Sequence, residues 1–208
     1  MDALEILEAV NAAGGDTAYE CAGFLDDSEA RWGVELSGVR VLGPLSMARD
    51  MPAAHFVHAI GSPRNYRDRL SLAQKLGLPA ERFETLVHPR AVVSPRCRVG
   101  HGVIVCPNAV LGPRSRVGDG VTILANVTVN HDSEVGDWTL IASGANLAGG
   151  VKVGAGSYIG AGAAVKEGID IGAGSLVGIG AVVIENVPAM AVVVGNPARI
   201  LRRHVDPS

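Results

Sequence analysis

Residues with chemical potential are sparse in the middle of this chain. His131 and Asp132 stand side by side in NHDSEVG (130–136), inside a stretch otherwise built from Val, Ile, Ala and Gly. An imidazole beside a carboxylate can move a proton in a reaction, but an isolated pair of this kind is most often two polar surface residues. Position decides between the two readings. Gly149 and Gly150 follow the pair at a spacing of eighteen residues, and a six-residue period runs through this whole part of the chain.

From 93 to 188 the sequence divides into sixteen consecutive hexads without an insertion. Their first positions, from Val93, Val99 and Val105 to Val177 and Val183, are all aliphatic. The second is glycine in eight hexads, and the fifth is always small or β-branched. Such a unit cannot bury its apolar side chain alone and must stack on its neighbours, which is the logic of a β-solenoid. One large and one small inward residue per hexad suit a narrow triangular section, with the glycines expected at corners that need φ > 0. The pattern resembles the hexapeptide-repeat left-handed parallel β-helix family. That resemblance implies three hexads per 18-residue coil, the left hand, and roughly 25 Å of prism at a ~4.8 Å strand spacing. His131 and Asp132 then sit at the third and fourth hexad positions, near an outward corner. Gly149 and Gly150 stack over them and Pro113 and Arg114 lie beneath. Two residues without side chains leave a groove beside the imidazole and expose backbone N–H groups to an oxyanion forming on a thioester carbonyl.

The bulk composition narrows the classes. The 208 residues include 27 glycines, far above the ordinary share of about 7%. With 48% hydrophobic but only 4% aromatic residues, the core must be aliphatic. A net charge of -3 gives no reason to expect nucleic acid or an anionic membrane as a partner. Three cysteines (Cys21, Cys97, Cys106) without metal-type spacing read as reduced thiols of a cytoplasmic protein. The acidic, amphipathic start MDALEILEAV is unlike a signal peptide, and no apolar run reaches the ~18 residues of a membrane span.

The first ninety residues follow other rules. A helix is expected over 3–12, capped by Asp2 and ended by Gly14-Gly15. Strands are expected over 19–25, 39–42 and 55–60, and a second helix over 65–76, ended by Gly77, after which 83–87 leads into His88-Pro89. Helices alternating with strands imply a small α/β unit with a parallel sheet. The succession GFLDD, VLGPL, AIGSPRNYR and LVHPRAVVSP before the hexads, with GAVV, ENVP and VVGNPAR after them, covers nearly the whole chain. It resembles the bacterial sugar O- or N-acyltransferases, the sialic acid O-acetyltransferases and UDP-4-amino-sugar N-acetyltransferases among them. The expected architecture is thus a small Rossmann-like domain over 1–90 and a left-handed β-helix acyltransferase domain with a C-terminal tail over 91–208. Members of that family begin with a strand and a glycine-rich turn ahead of the helix that here starts at Asp2, so the Rossmann-like domain lacks its first strand: either the true start lies upstream, which is the expectation, or the chain is truncated, or a nucleotide sugar is not held in the family manner.

The same resemblance assigns roles. His131 matches a general base, Asp132 the acid that orients it, and Gly149 a residue whose amide faces the acetyl oxygen. Ala142, Ala161 and Ile179 match positions along the pantetheine groove of acetyl-CoA. Leu140 stands where some members carry a second histidine, and Arg199 is placed to meet the CoA phosphates. Asp26 and Asp27 match an acidic pair that contacts the nucleotide, and Gly61 a backbone position at the ligand edge of the sheet. The implied reaction is direct transfer from acetyl-CoA to an amino-sugar nucleotide, in a groove between prisms of a homotrimer, without a metal.

Plainer readings accompany several of these residues. Asp26-Asp27 also suit a turn after a strand. His88 reads as structural, Cys97 as core, His101 as exposed, and His55, His58 and His204 as ordinary polar residues. Trp138 shields the site or a trimer contact, or merely packs at its corner. Three other functions remain on the sequence alone: O-acetylation of a sugar hydroxyl, a zinc hydratase resembling the γ-type carbonic anhydrases, and a non-catalytic module. The hydratase needs three histidine ligands, and no histidine lies within five residues of His131.

Overall fold

Each hexad becomes two extended residues and a four-residue corner. The computed structural model describes residues 3–14 and 19–203, so Asp2, Gly15 and His204 lie outside the described residues. The strands Val92–Val93, Arg98–Val99, Ile104–Val105 and their successors to Val182–Val183 each end on the aliphatic first position. They pair in parallel with strands eighteen residues away: Thr128 with Val110 and Asn146, Glu134 with Arg116 and Lys152. Three sheets result. The first face has eight strands, opening with Leu86–Val87, one hexad before the repeat is visible in sequence. The second face, from Val92–Val93, has six, and the third, from Arg98–Val99, has five. First and fifth positions (Leu111, Ile123, Ile141, Leu147, Val121, Ala145 and their equivalents) fill the interior completely. The buried hydroxyls of Ser133, Thr139, Ser157 and Ser175 at the fifth position donate to carbonyls of the next coil, as Ser133 Oγ does to Ala148 O at 3.0 Å, whereas Ser115 Oγ donates to Gly112 O of its own coil.

The corners correct one expectation. The glycines with positive φ are at the fourth position, where every residue from Gly102 to Gly180 has φ between +59° and +71°. The second-position glycines have ordinary φ and are there for another reason. A Cβ on Gly154 would stand 2.4 Å from Ala173 N and 2.7 Å from its Cα, because the next coil's backbone passes directly over it. Where the fourth position is not glycine it holds Asn108, Arg114, Asn126, Asp132 or Trp138.

The front unit comprises α1 (Ala3–Ala12), β1 (Phe24–Leu25), β2 (Glu35–Leu36), β3 (Val39–Gly43) and α2 (Asp68–Leu76). β1 is parallel to β3, and β2 and β3 form a hairpin across Ser37-Gly38, both at positive φ. Residues 55–60 do not form the expected strand; Phe56 makes a single parallel bridge to Phe83. At the end of this segment Arg69 Nε of α2 donates to Ile60 O at 3.0 Å, so that carbonyl meets a side chain rather than a neighbouring strand. Helix α2 starts at Asp68 rather than 65 because 62–65 form a turn, Asn65 N donating to Ser62 O. Gly77 ends it in the left-handed conformation, as expected.

This unit packs on the first face. Ile6 of α1 meets Leu86, Ile104 and Cys106. Arg69, 1% exposed, donates to Trp138 O, Thr139 O, Gly120 O and Thr122 Oγ1 of the prism. Trp138 packs edge-on between His58 (5.2 Å) and Phe83 (6.1 Å), which is the packing alternative for that residue. His58 is no ordinary polar residue: it is 6% exposed, and neither ring nitrogen has a hydrogen-bond partner among the described residues. His88 is buried and its Nδ1 accepts from Arg90 N at 3.0 Å, a structural role.

Two outcomes follow from this packing. Gly154→Ala should destabilise the protein by about 1–3 kcal/mol through backbone overlap, whereas Gly168→Asn, at a fourth position with open space around it, should cost about 0.5 kcal/mol; denaturant titration reads both. Burial, reinforced by Arg69, lowers the His58 pKa from 6.5 to about 4. Between those values the unfolded chain takes up a proton that the folded one refuses, so stability falls as pH drops from 6.5 to 4, by about 3 kcal/mol. His58→Phe should flatten that part of the stability–pH curve.

Candidate active site

The corner between the second and third faces carries His131 and Asp132, between strands Thr128–Val129 and Glu134–Val135. His131 Nδ1 is 2.8 Å from Asp132 Oδ2. An ionised carboxylate only accepts hydrogen bonds, so Nδ1 carries the proton and Nε2 keeps its lone pair for a substrate. Asp132 is gripped from the coil below, where Arg114 Nε donates to Oδ1 at 2.6 Å and Nη2 to Oδ2 at 2.7 Å. The guanidinium, with the His131 hydrogen bond second, holds the Asp132 carboxyl far below the usual carboxylate range. The carboxylate in turn raises the Arg114 pKa.

Gly149 covers the imidazole from the coil above. A methyl there would stand 2.5 Å from His131 Cε1 and 2.7 Å from Nε2. Of the two amides expected to be exposed, one is occupied: Gly150 N donates to His131 O at 2.9 Å as part of the coil-to-coil ladder. Gly149 N–H has no acceptor among the described residues and so remains free to donate.

The other expected residues divide between places. Leu140 and Ala142 are buried in a cluster with Tyr66 and Tyr158, and Ala161 packs against it half-buried. Gly61 joins this group, a Cβ there falling 2.8 Å from Leu140 Cδ1. Ile179 is 79% exposed. Ala161 and Ile179 belong to the corner between the first and second faces, a different edge of the prism from His131. Arg199 opens the last strand, Arg199–Arg203, fully on the surface. Asp26 spends its oxygens on Ser28 N (2.8 Å) and Arg31 Nη1 (2.9 Å), while Asp27 Oδ1 caps Leu45 N at 2.9 Å. Asp27 therefore keeps one oxygen for a ligand. Among the described residues no three His, Cys, Asp or Glu side chains are grouped to hold a metal, and no helix is long and apolar enough to cross a membrane.

Arg114 was assigned no role from sequence, yet the signal existed: an arginine eighteen residues before an aspartate, in one solenoid column. Arg69 had no such signal, because nothing periodic links it to the prism.

Closed 18-residue coils and a corner dyad under a glycine define a hexapeptide-repeat transferase with a left-handed parallel β-helix, and residues 114–149 match the bacterial transferase hexapeptide (six repeats) model. The chain belongs to the bacterial sugar acyltransferase family. It is 32% identical to the acetyltransferase domain of PglB from Neisseria gonorrhoeae, with a TM-score of 0.81 over 95% of this chain and 94% of that one. PerB from Caulobacter crescentus, solved in complex with CoA and GDP-perosamine, is 32% identical with a TM-score of 0.79, over 95% and 91% of the two chains. WeeI from Acinetobacter baumannii is 30% identical with a TM-score of 0.76, over 95% and 94%. No curated protein sequence matches.

Gly149→Ala should leave the coil intact but displace the imidazole by the overlap described, lowering kcat by about 100-fold. Circular dichroism and steady-state kinetics together check this.

Proposed function

We propose that this protein transfers the acetyl group of acetyl-CoA to the amine of a nucleotide-linked amino sugar. The observation that carries this reading is the free Nε2 of His131 lying beneath the unpaired amide of Gly149. The relatives support both substrates: the PglB domain was solved with acetyl coenzyme A, and PerB with CoA and GDP-perosamine. His131 Nε2 takes the proton of the attacking neutral amine as nitrogen bonds to the acetyl carbon. Gly149 N–H donates to the oxyanion. The C–S bond then breaks, and the CoA thiolate leaves with the proton that His131 held. No covalent acyl-enzyme is needed.

Residues 1–90 form the acceptor unit in this reading, with Asp27 and Gly61 facing the nucleotide sugar and Asp26 shaping the turn beside them. Residues 91–208 form the acyl-transfer unit. Ala142, Ala161 and Ile179 line the pantetheine path, with Leu140 at its floor and Arg199 at the phosphate end. His131 and the Ala161–Ile179 corner lie on different edges of one prism, so a donor that touches both must lie between two chains. A homotrimer supplies that arrangement, and the exposed Val92, Val110 and Ala164 on the second face offer it an apolar contact. The acyl donor is a cytoplasmic metabolite, which puts the enzyme in the cytoplasm.

Thiol release from acetyl-CoA, measured with a panel of nucleotide 4-amino sugars that includes GDP-perosamine, tests the reading. Wild type should turn over at least one acceptor, and His131→Ala should lose about 10²–10⁴-fold. Turnover of hydroxyl sugars alone would transfer the assignment to O-acetylation.

A further inference from the structure

The Asp132 carboxylate serves two partners at once. Its Oδ2 accepts from both His131 Nδ1 and Arg114 Nη2, and its Oδ1 accepts from Arg114 Nε. A two-point fork fixes the plane of a carboxylate, which a single hydrogen bond does not. It also places a full positive charge one hydrogen bond away from the anion that faces the catalytic ring. Arg114 and Asp132 are stacked in one column, both left-handed, as every fourth position from Gly102 to Gly180 is, at φ +61° and +60°. Glycine is the relaxed residue at such a site and occupies it in the next two coils, at Gly150 and Gly168.

We propose that Arg114 is a positioning residue of the active site, setting the orientation of Asp132 and offsetting the charge that Asp132 presents to His131. This rests on His131 being the base of the proposed reaction. The dyad alone would stabilise the imidazolium with an undiminished carboxylate and draw the base toward its protonated, inactive form. With the guanidinium in place the carboxylate still orients Nδ1–H while its pull on the proton is reduced. A base that must be unprotonated to accept an amine proton gains from that balance.

The charges around His131 are few enough to make the reading specific. Its own corner supplies Asp132, and the coil below supplies Pro113 and Arg114. The coil above supplies Gly149 and Gly150, which carry no charge. On the adjoining third face, Glu134 and Arg116 are paired with each other at 3.7 Å, and Lys152 stands in register with Glu134 one coil above. Glu167 and Arg96 occupy the column two coils away on either side, at about 10 Å by strand spacing.

The test uses the whole 208-residue chain without substrate, so it does not depend on the acceptor. Nitrogen-15 NMR follows the titration of the His131 ring, assigned by its loss in His131→Asn. Arg114→Gly relaxes the left-handed backbone, so a changed titration reports the lost side chain and not a lost fold. Its midpoint should rise by about 0.5–1 pH unit, and Arg114→Lys, which keeps the charge but not the fork, should rise by less than half as much. In turnover, the acid limb of kcat should move the same way in Arg114→Gly, with KM for acetyl-CoA within twofold of wild type. A midpoint in Arg114→Gly that matches wild type overturns the proposal. A shifted midpoint in a protein that acetylates no acceptor upholds the role of Arg114 and sinks the acceptor assignment instead.

Discussion

The structure depends on one interaction repeated without change: a backbone N–H of one coil donating to a carbonyl of the next, seventeen residues on. Cys106 N to Ile123 O, Leu124 N to Ile141 O and Ala142 N to Ile159 O are three rungs of the same ladder. Because the ladder is parallel and in register, any residue is held at one strand spacing from its counterparts above and below. Local conformation follows from this constraint. The second position must lack a Cβ wherever the next backbone crosses close, and the fourth must be left-handed to turn the corner. A site made from such columns is rigid because its scaffold has no freedom to shift one coil alone.

That rigidity explains what could be read in the sequence. The hexads, the packed interior and the stacking of Gly149 over His131 were all legible, since a period assigns every side chain a direction. Even the misplaced reason for the second-position glycines concerned φ, not location. The front unit was legible only in part. Helix α1 and the Gly77 stop rest on local signals and appear where expected. Residues 55–60 have a strand-like pattern, but the Ile60 carbonyl meets the Arg69 guanidinium, which reaches nine residues back and sixty-nine forward. No propensity reports such a contact. His58 escaped notice for the same reason: its burial is decided by Trp138, eighty residues away.

Arg69 also joins the two halves of the molecule. It contacts the carbonyl just before Gly61 and the carbonyls of Trp138 and Thr139, just before Leu140. A buried cation satisfied by four carbonyls and the Thr122 hydroxyl, with no carboxylate partner among the described residues, holds the front unit against the prism at a defined height. The distance between Gly61 and the corner columns of the prism is thereby set by one side chain together with the coil spacing.

The far end of the prism has a different consequence. The final coil is two residues shorter, Leu176 pairing with Val192, and the chain then reverses so that Arg199–Arg203 runs antiparallel along Ala191–Val194. A parallel solenoid with a bare last coil would be a template on which another chain could continue indefinitely. Here the outermost strand has the opposite polarity and carries Arg199, Arg202 and Arg203 exposed. An incoming copy meets reversed hydrogen-bond order and concentrated positive charge, so the same geometry that makes the protein a stack also terminates its growth as a fibre.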